Sequence, residues 1–209
     1  MSITDKIIYY NETLPSNVKL VAVSKFKPNE AIEEAYRAGQ RIFGESRPQE
    51  LQTKVSSLPG DIEWHFIGHL QTNKLKMVVP YAELIHSVDS IKLLEAIDRY
   101  ARTIEKIQRV LIEIHIAQEE SKQGFTPDEA IELISNATQW PNVKIEGLMT
   151  MATFTDDVSQ IEREFSLAER TLKRTGLSIL SMGMSDDYKI ALKHNTSYVR
   201  IGSDIFGAR

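Results

Sequence analysis

VKLVAVSKFKPNEAIEEAYRAGQRIF, residues Val18–Phe43, carries the pattern that decides the fold. Val18–Val23 is a short run rich in β-branched and apolar residues, and Arg41–Phe43 opens another. Between them Asn29–Ala38 reads as an amphipathic helix that stops at Gly39. A strand, a helix and a second strand in one short stretch form the crossover unit of a parallel sheet.

The alternation continues outward from this unit. Strands are predicted at Ile62–Phe66, Leu84–Val88, Val110–His115, Val143–Met149, Ile179–Met182 and Tyr198–Ile201. Helices are predicted at Pro48–Ser57, Thr72–Val79, Ile91–Arg102, Asp128–Thr138, Val158–Thr175 and Asp186–Leu192. Strand starts recur about every 26 residues, which suits a compact eight-stranded barrel. An open doubly wound sheet absorbs the same alternation, but no strand is left over for a second domain. The expectation is an α/β fold, a single (β/α)8 TIM barrel over residues 1–209, with an additional N-terminal helix that flanks or plugs it.

Composition narrows the function classes. The 209 residues include 42% hydrophobic and 26% charged residues, ordinary usage for a globular chain. Twenty-five basic against 29 acidic residues leave a net charge of -4 and no basic tract, so nucleic acid and anionic membranes are poor partners. The absence of cysteine excludes disulfides, thiolate metal sites and cysteine nucleophiles. No run of 18 apolar residues occurs, and the N-terminus lacks a signal-peptide pattern. The expected location is cytoplasmic.

Barrel chemistry sits where strands end. Lys25 and Lys27 follow the first apolar strand, where a desolvated amine with a second cation nearby is activated toward carbonyls. The spacing does not choose between them. Near the chain end, Ser181-Met182-Gly183-Met184-Ser185-Asp186 reads as strand end, turn and helix start, with Ser185 as the helix N-cap. Val199-Arg200-Ile201-Gly202-Ser203 repeats that logic, and barrels often bind phosphate after their seventh and eighth strands. His65 and His69 stand four apart, but on a strand end rather than a helix, so a packed His65 and a solvated His69 are expected in place of a metal pair. Gly44-Glu45-Ser46, Glu113-Ile114-His115 and Gly147-Leu148-Met149 end other strands and are candidates to line a pocket; Met149, Met151, Met182 and Met184 read as apolar wall or core. GxSxG, Walker A and GxGxxG motifs are absent. An amine at one strand tip and an anion cradle at two others suit a phosphorylated aldehyde such as pyridoxal 5′-phosphate.

Seven stretches in order carry a family resemblance: AVSKFKP, FGES with the following QE, HFIGHLQTNK, SKQGF, GLMTM, LSMGMSDD and VRIGSDIFGAR. The chain resembles the pyridoxal phosphate homeostasis protein family, whose barrel is similar to the N-terminal domain of alanine racemase. The resemblance implies pyridoxal 5′-phosphate as cofactor, held as an internal aldimine on Lys25. It also implies Ser181, Gly202 and Ser203 at the phosphate, Met182 in the cofactor site, and Arg200 near the pyridine nitrogen or the adjoining phosphate edge. Ser203 stands where the family usually has Thr, and Ser46 where it commonly has Asn. Lys122, in SKQGF, matches a family lysine of unassigned role.

The resemblance further implies a carrier that serves vitamin B6 homeostasis and passes the cofactor to apo-enzymes, without turnover and as a monomer. A racemase or decarboxylase using the same aldimine is the alternative, and a Schiff-base aldolase a third. A racemase needs acid–base groups on both faces of the α-carbon, and a chain that stops at Arg209 is expected to supply no second domain for the other face. An arginine beside the pyridine nitrogen also disfavours its protonation and weakens the electron sink.

Overall fold

The computed structural model describes residues 1–117 and 123–207. It is a closed barrel of eight parallel strands in sequence order: β1 (Lys19–Val23), β2 (Ile42–Glu45), β3 (Glu63–Phe66), β4 (Leu84–Val88), β5 (Gln108–Glu113), β6 (Val143–Met149), β7 (Ile179–Met184) and β8 (Tyr198–Ile201). Pairing of Leu20 with Val199 and Ala22 with Ile201 closes β1 on β8. The expected barrel is therefore observed, and each predicted strand is present within a few residues.

The helices are α1 (Ile3–Thr13), α2 (Asn29–Arg37), α3 (Pro48–Val55), α4 (Ile91–Thr103), α5 (Pro127–Ser135), α6 (Val158–Thr175), α7 (Tyr188–Ala191) and α8 (Ser203–Phe206). Local chemistry sets their ends. Ser2 and Asp5 form a capping box on α1, and Thr126 and Glu129 form another on α5, just before Pro127 in the first turn. Gly176 closes α6 in the left-handed conformation, with φ 72°, which a residue without Cβ adopts freely. Two expectations shrink: Thr72–Val79 yields a short 3-10 helix at Thr72–Met77, and Asp186–Leu192 yields only α7.

Two apolar layers follow from the strand alternation. Ile7, Ile32, Phe43, Leu51, Phe66 and Phe165 belong to the large core between barrel and helices. Val21, Leu84, Leu111, Met149 and Tyr198 form a smaller cluster in which alternate strand residues meet inside the barrel. β6 and β7 approach closely at Gly147, where a Cβ would clash with the Ile179 carbonyl. The N-terminal helix flanks the barrel and does not plug it. Its Ile7 and Tyr10 pack into the outer core, while Lys6 and Tyr10 reach Asp204 of α8 at 2.7 Å each. No helix among the described residues is long and apolar enough to cross a membrane.

Candidate functional site

A cavity of roughly 380 Å³ opens where several strands end, and its wall includes Lys25, Ser46, Arg200, Gly202 and Ser203. Ser185 and Lys27 add polar groups, while Val23, Ile67, Met151 and Met184 supply apolar surface. Its size suits a small cofactor. Five of the seven residues expected to hold a cofactor therefore share one cavity.

Lys25 sits in a turn held from behind by charge. The buried Ser24 hydroxyl donates to Glu45 Oε1 at 2.6 Å. The Lys54 ammonium, only 4% exposed, reaches Glu45 Oε1 at 2.7 Å, Glu50 Oε1 at 2.6 Å and the Ser24 carbonyl at 2.8 Å. Glu50 also accepts the Phe26 backbone N–H at 2.6 Å. Phe26 adopts φ 64°, a left-handed conformation that a bulky residue resists, and the Arg47 guanidinium stacks 4.2 Å from its ring centre. Burial pushes the Glu45 carboxyl up and Lys54 pulls it back. Lys27 donates its ammonium to the Gly207 carbonyl at 3.0 Å, drawing that side chain to the rim.

Arg200 approaches from β8 and is 5% exposed. Its Nη1 donates to the Ser181 carbonyl at 2.9 Å and the Ser181 hydroxyl at 2.6 Å, and its Nη2 donates to the Thr150 carbonyl at 2.9 Å. Burial brings its pKa down to about 10, against the opposing charges of Asp187 and Glu113, so the guanidinium remains a cation at neutral pH. Three bonds leave part of its set of five donors for the cavity that it lines. Glu113, at the end of β5, is 6% exposed and pushed up to about 7, chiefly by burial and then by the Asp89 charge.

Ser181 and Met182 depart from the expectation. Both are fully buried and neither lines the cavity. The reason is a bulge: Ser181 pairs with Tyr198 but Met184 with Arg200, so β7 uses three steps where β8 uses two. Gly183 takes φ 95° there, and a Cβ on it would meet the Ala191 Cβ at 2.7 Å. Ser181 stays inside the barrel under Arg200, and Ser185 emerges beyond the bulge, its hydroxyl 3.1 Å from that of Ser203. Ser185 does not cap α7, whose N-cap residue is Asp187.

His65 is buried, with Nδ1 2.9 Å from Nε2 of His86, whereas His69 is exposed and lies 3.0 Å from Asp89. Lys122 lies outside the described residues. Sequence reading missed Glu50, Lys54 and His86. The signal for Glu50 was present, since FGES is followed by Gln49-Glu50 in the resemblance motif.

The chain is similar to known proteins along nearly its whole length. Residues 2–209 match the family described as alanine racemase, N-terminal domain. A relative from Helicobacter pylori (strain ATCC 700392 / 26695), called pyridoxal phosphate homeostasis protein, is 39% identical over 193 residues, covering 90% of this chain and 87% of its own. This chain belongs to the pyridoxal phosphate homeostasis protein family. The solved structure of PipY from Synechococcus elongatus PCC7942, with PLP bound, superposes with a TM-score of 0.90 at 33% identity, covering 99% of this chain and all of PipY. The alanine racemase of E. faecalis, at 17% identity and a TM-score of 0.82, covers 99% of this chain and 58% of the racemase, and shares its fold.

Proposed function

We propose that this protein binds pyridoxal 5′-phosphate as a carrier in intracellular vitamin B6 homeostasis. The observation that carries the reading is one cavity uniting the Lys25 amine, the Ser185, Gly202 and Ser203 cradle and the buried Arg200 cation. These residues fit the group. Lys25 would hold the group through its side-chain amine, the nucleophile that an aldehyde-bearing cofactor requires. Ser185 and Ser203 hydroxyls, with backbone N–H groups at the start of α8, offer donors to the phosphate. Arg200 would offer N–H groups to the ring nitrogen, and Val23, Ile67 and Met151 would give the ring apolar walls. Bound pyridoxal phosphate supplies an electrophilic carbon and a conjugated ring.

The same arrangement supports a non-catalytic role. Arg200 is a donor-only cation, so it favours an unprotonated ring nitrogen and a weak electron sink. The protein acts as a cytoplasmic monomer that releases its cargo to pyridoxal-phosphate-dependent apo-enzymes.

Addition of pyridoxal phosphate to the purified protein should produce a visible imine band. Borohydride reduction followed by peptide mapping should place the adduct on Lys25, and Lys25→Ala should abolish it. An adduct mainly on Lys27 or Lys122 overturns the site. Sustained, Lys25-dependent racemisation or decarboxylation at about 1 per second or faster overturns the carrier.

A further inference from the structure

The interior of the barrel below the cavity carries polar groups that the binding reading does not use. Nδ1 of His86 lies 2.9 Å from the Ser181 hydroxyl, and Nε2 of His86 lies 2.9 Å from Nδ1 of His65. With the bond from Arg200 to Ser181, this makes a continuous chain across β8, β7, β4 and β3. Every member is at most 5% exposed, and Tyr198 packs edge-on against both imidazoles, with ring centres 5.3 and 5.7 Å away.

We infer that Ser181, His86 and His65 are positioning residues, a one-way hydrogen-bond chain that holds the Arg200 cation toward the cavity, with both imidazoles in the Nε2–H form. The direction follows from the donor inventory. A guanidinium only donates, so the Ser181 oxygen accepts from it. A hydroxyl has one proton, and with the Arg200 bond accepted that proton is directed to His86 Nδ1, which is then bare. His86 therefore carries its proton on Nε2 and donates it to Nδ1 of His65. The reverse direction would make the Ser181 oxygen accept from both sides and turn the His86 Nδ1–H toward the cation.

Electrostatics agrees with this direction, because each lone pair faces Arg200 and each proton points away from it. Burial and the charges of Arg109 and Lys19 push His65 down to about 3, while burial, His65 and Arg200 hold His86 far below the usual range. Both rings therefore stay neutral. Asp187 and Glu113 are the carboxyl groups that oppose burial at Arg200, and neither forms an ion pair with it within 4.0 Å. Neutral dipoles solvate the cation.

The consequence for the cofactor rests on the binding reading above. The chain acts on the ring end of the cavity, so its loss should not discriminate a phosphorylated from an unphosphorylated ligand. In Ser181→Ala, affinities for pyridoxal phosphate and pyridoxal should fall together by about tenfold, the equivalent of one lost hydrogen bond to a charged group. The imine absorbance band should shift as well. Ser185→Ala should instead weaken pyridoxal phosphate and leave pyridoxal nearly unchanged.

The deciding experiment is nitrogen-15 NMR of the cofactor-free protein with labelled histidine. Protonated Nε2 and bare Nδ1 on His65 and His86, constant from about pH 5.5 to 8.5, are expected for neutral buried imidazoles. A proton on Nδ1 of His86, or an unshifted band with unchanged affinities in Ser181→Ala, overturns the inference. Failure of the wild-type protein to bind pyridoxal phosphate breaks the binding reading instead, and the tautomers then decide the chain by themselves. They also decide it if Ser181→Ala does not fold.

Discussion

Two basic residues of the cavity wall, Lys25 and Arg200, are held by opposite means. Behind Lys25, the Lys54 ammonium and the Glu45 and Glu50 carboxylates form a buried charged brace. Beneath Arg200, a hydroxyl, two imidazoles and two carbonyls form a neutral cage. The difference follows from what each end must do. A turn carrying Phe26 at positive φ needs strong anchors, and a carboxylate provides them through charge-assisted bonds. Arg200 needs its charge undiminished toward the cavity, and a carboxylate partner in contact would neutralise it. The charged brace comes at a cost, because Glu45 Oε2 is buried without a hydrogen bond.

The largest expected effect comes from breaking the brace. Lys54→Met leaves Glu45 buried beside Ser24 with no cation, and removing one partner of a buried pair costs about 3–5 kcal/mol. Denaturant unfolding at neutral pH should show that loss, together with slower attack by Lys25 on an added aldehyde. Adding Glu45→Gln to Lys54→Met should recover a large part of the stability, because no buried charge remains. Equal stability of the wild-type and Lys54→Met proteins would remove the brace from the account.

Glu113 sharpens the contrast on the arginine side. Its folded pKa is about 7 against a usual 4.5. A carboxyl raised in this way favours the folded state fully below about pH 4.5 and loses that contribution as pH climbs through about 7. The interval corresponds to on the order of 3 kcal/mol. Glu113→Gln cannot ionise, so its stability relative to wild type should rise between pH 5 and pH 8. Parallel stability curves for the two proteins over that range would show that Glu113 is not desolvated as its 6% exposure indicates.

Most of the barrel was legible because strand and helix periods differ and eight units recur with little insertion. The strand tip singled out Lys25 and Lys27 together, and only the family resemblance chose Lys25. What holds it was not legible, since Ser24, Glu45 and Lys54 meet only once β1, β2 and α3 have packed. That Ser185 lines the cavity and Ser181 does not was hidden for a local reason. Both occur in one small-residue stretch, and the bulge that leaves Ser181 buried and Ser185 at the cavity wall arises from pairing with β8. His86, 21 residues from His65, has no motif of its own. Its role depends on β3 and β4 lying side by side with both rings turned inward.

The smallest effect tests whether burial, rather than charge alone, gives the brace its weight. Lys6 and Asp204 form a pair as short as Lys54 and Glu45, 2.7 Å in each case, but their side chains are 23% and 36% exposed. Water already solvates both groups, so the Coulomb gain is small and salt screens it. Asp204→Asn keeps one carbonyl oxygen to accept from Tyr10 and removes only the ion pair. It should cost less than about 1 kcal/mol, and added salt should shrink that figure further. Helix α1 should stay docked, because Ile7 and Tyr10 are buried against the outer core whatever the charge at position 204. Thermal unfolding at low and high salt measures both points. A loss as large as that of Lys54→Met would mean that anchoring of α1, and not desolvation, decides how much a short ion pair contributes in this barrel.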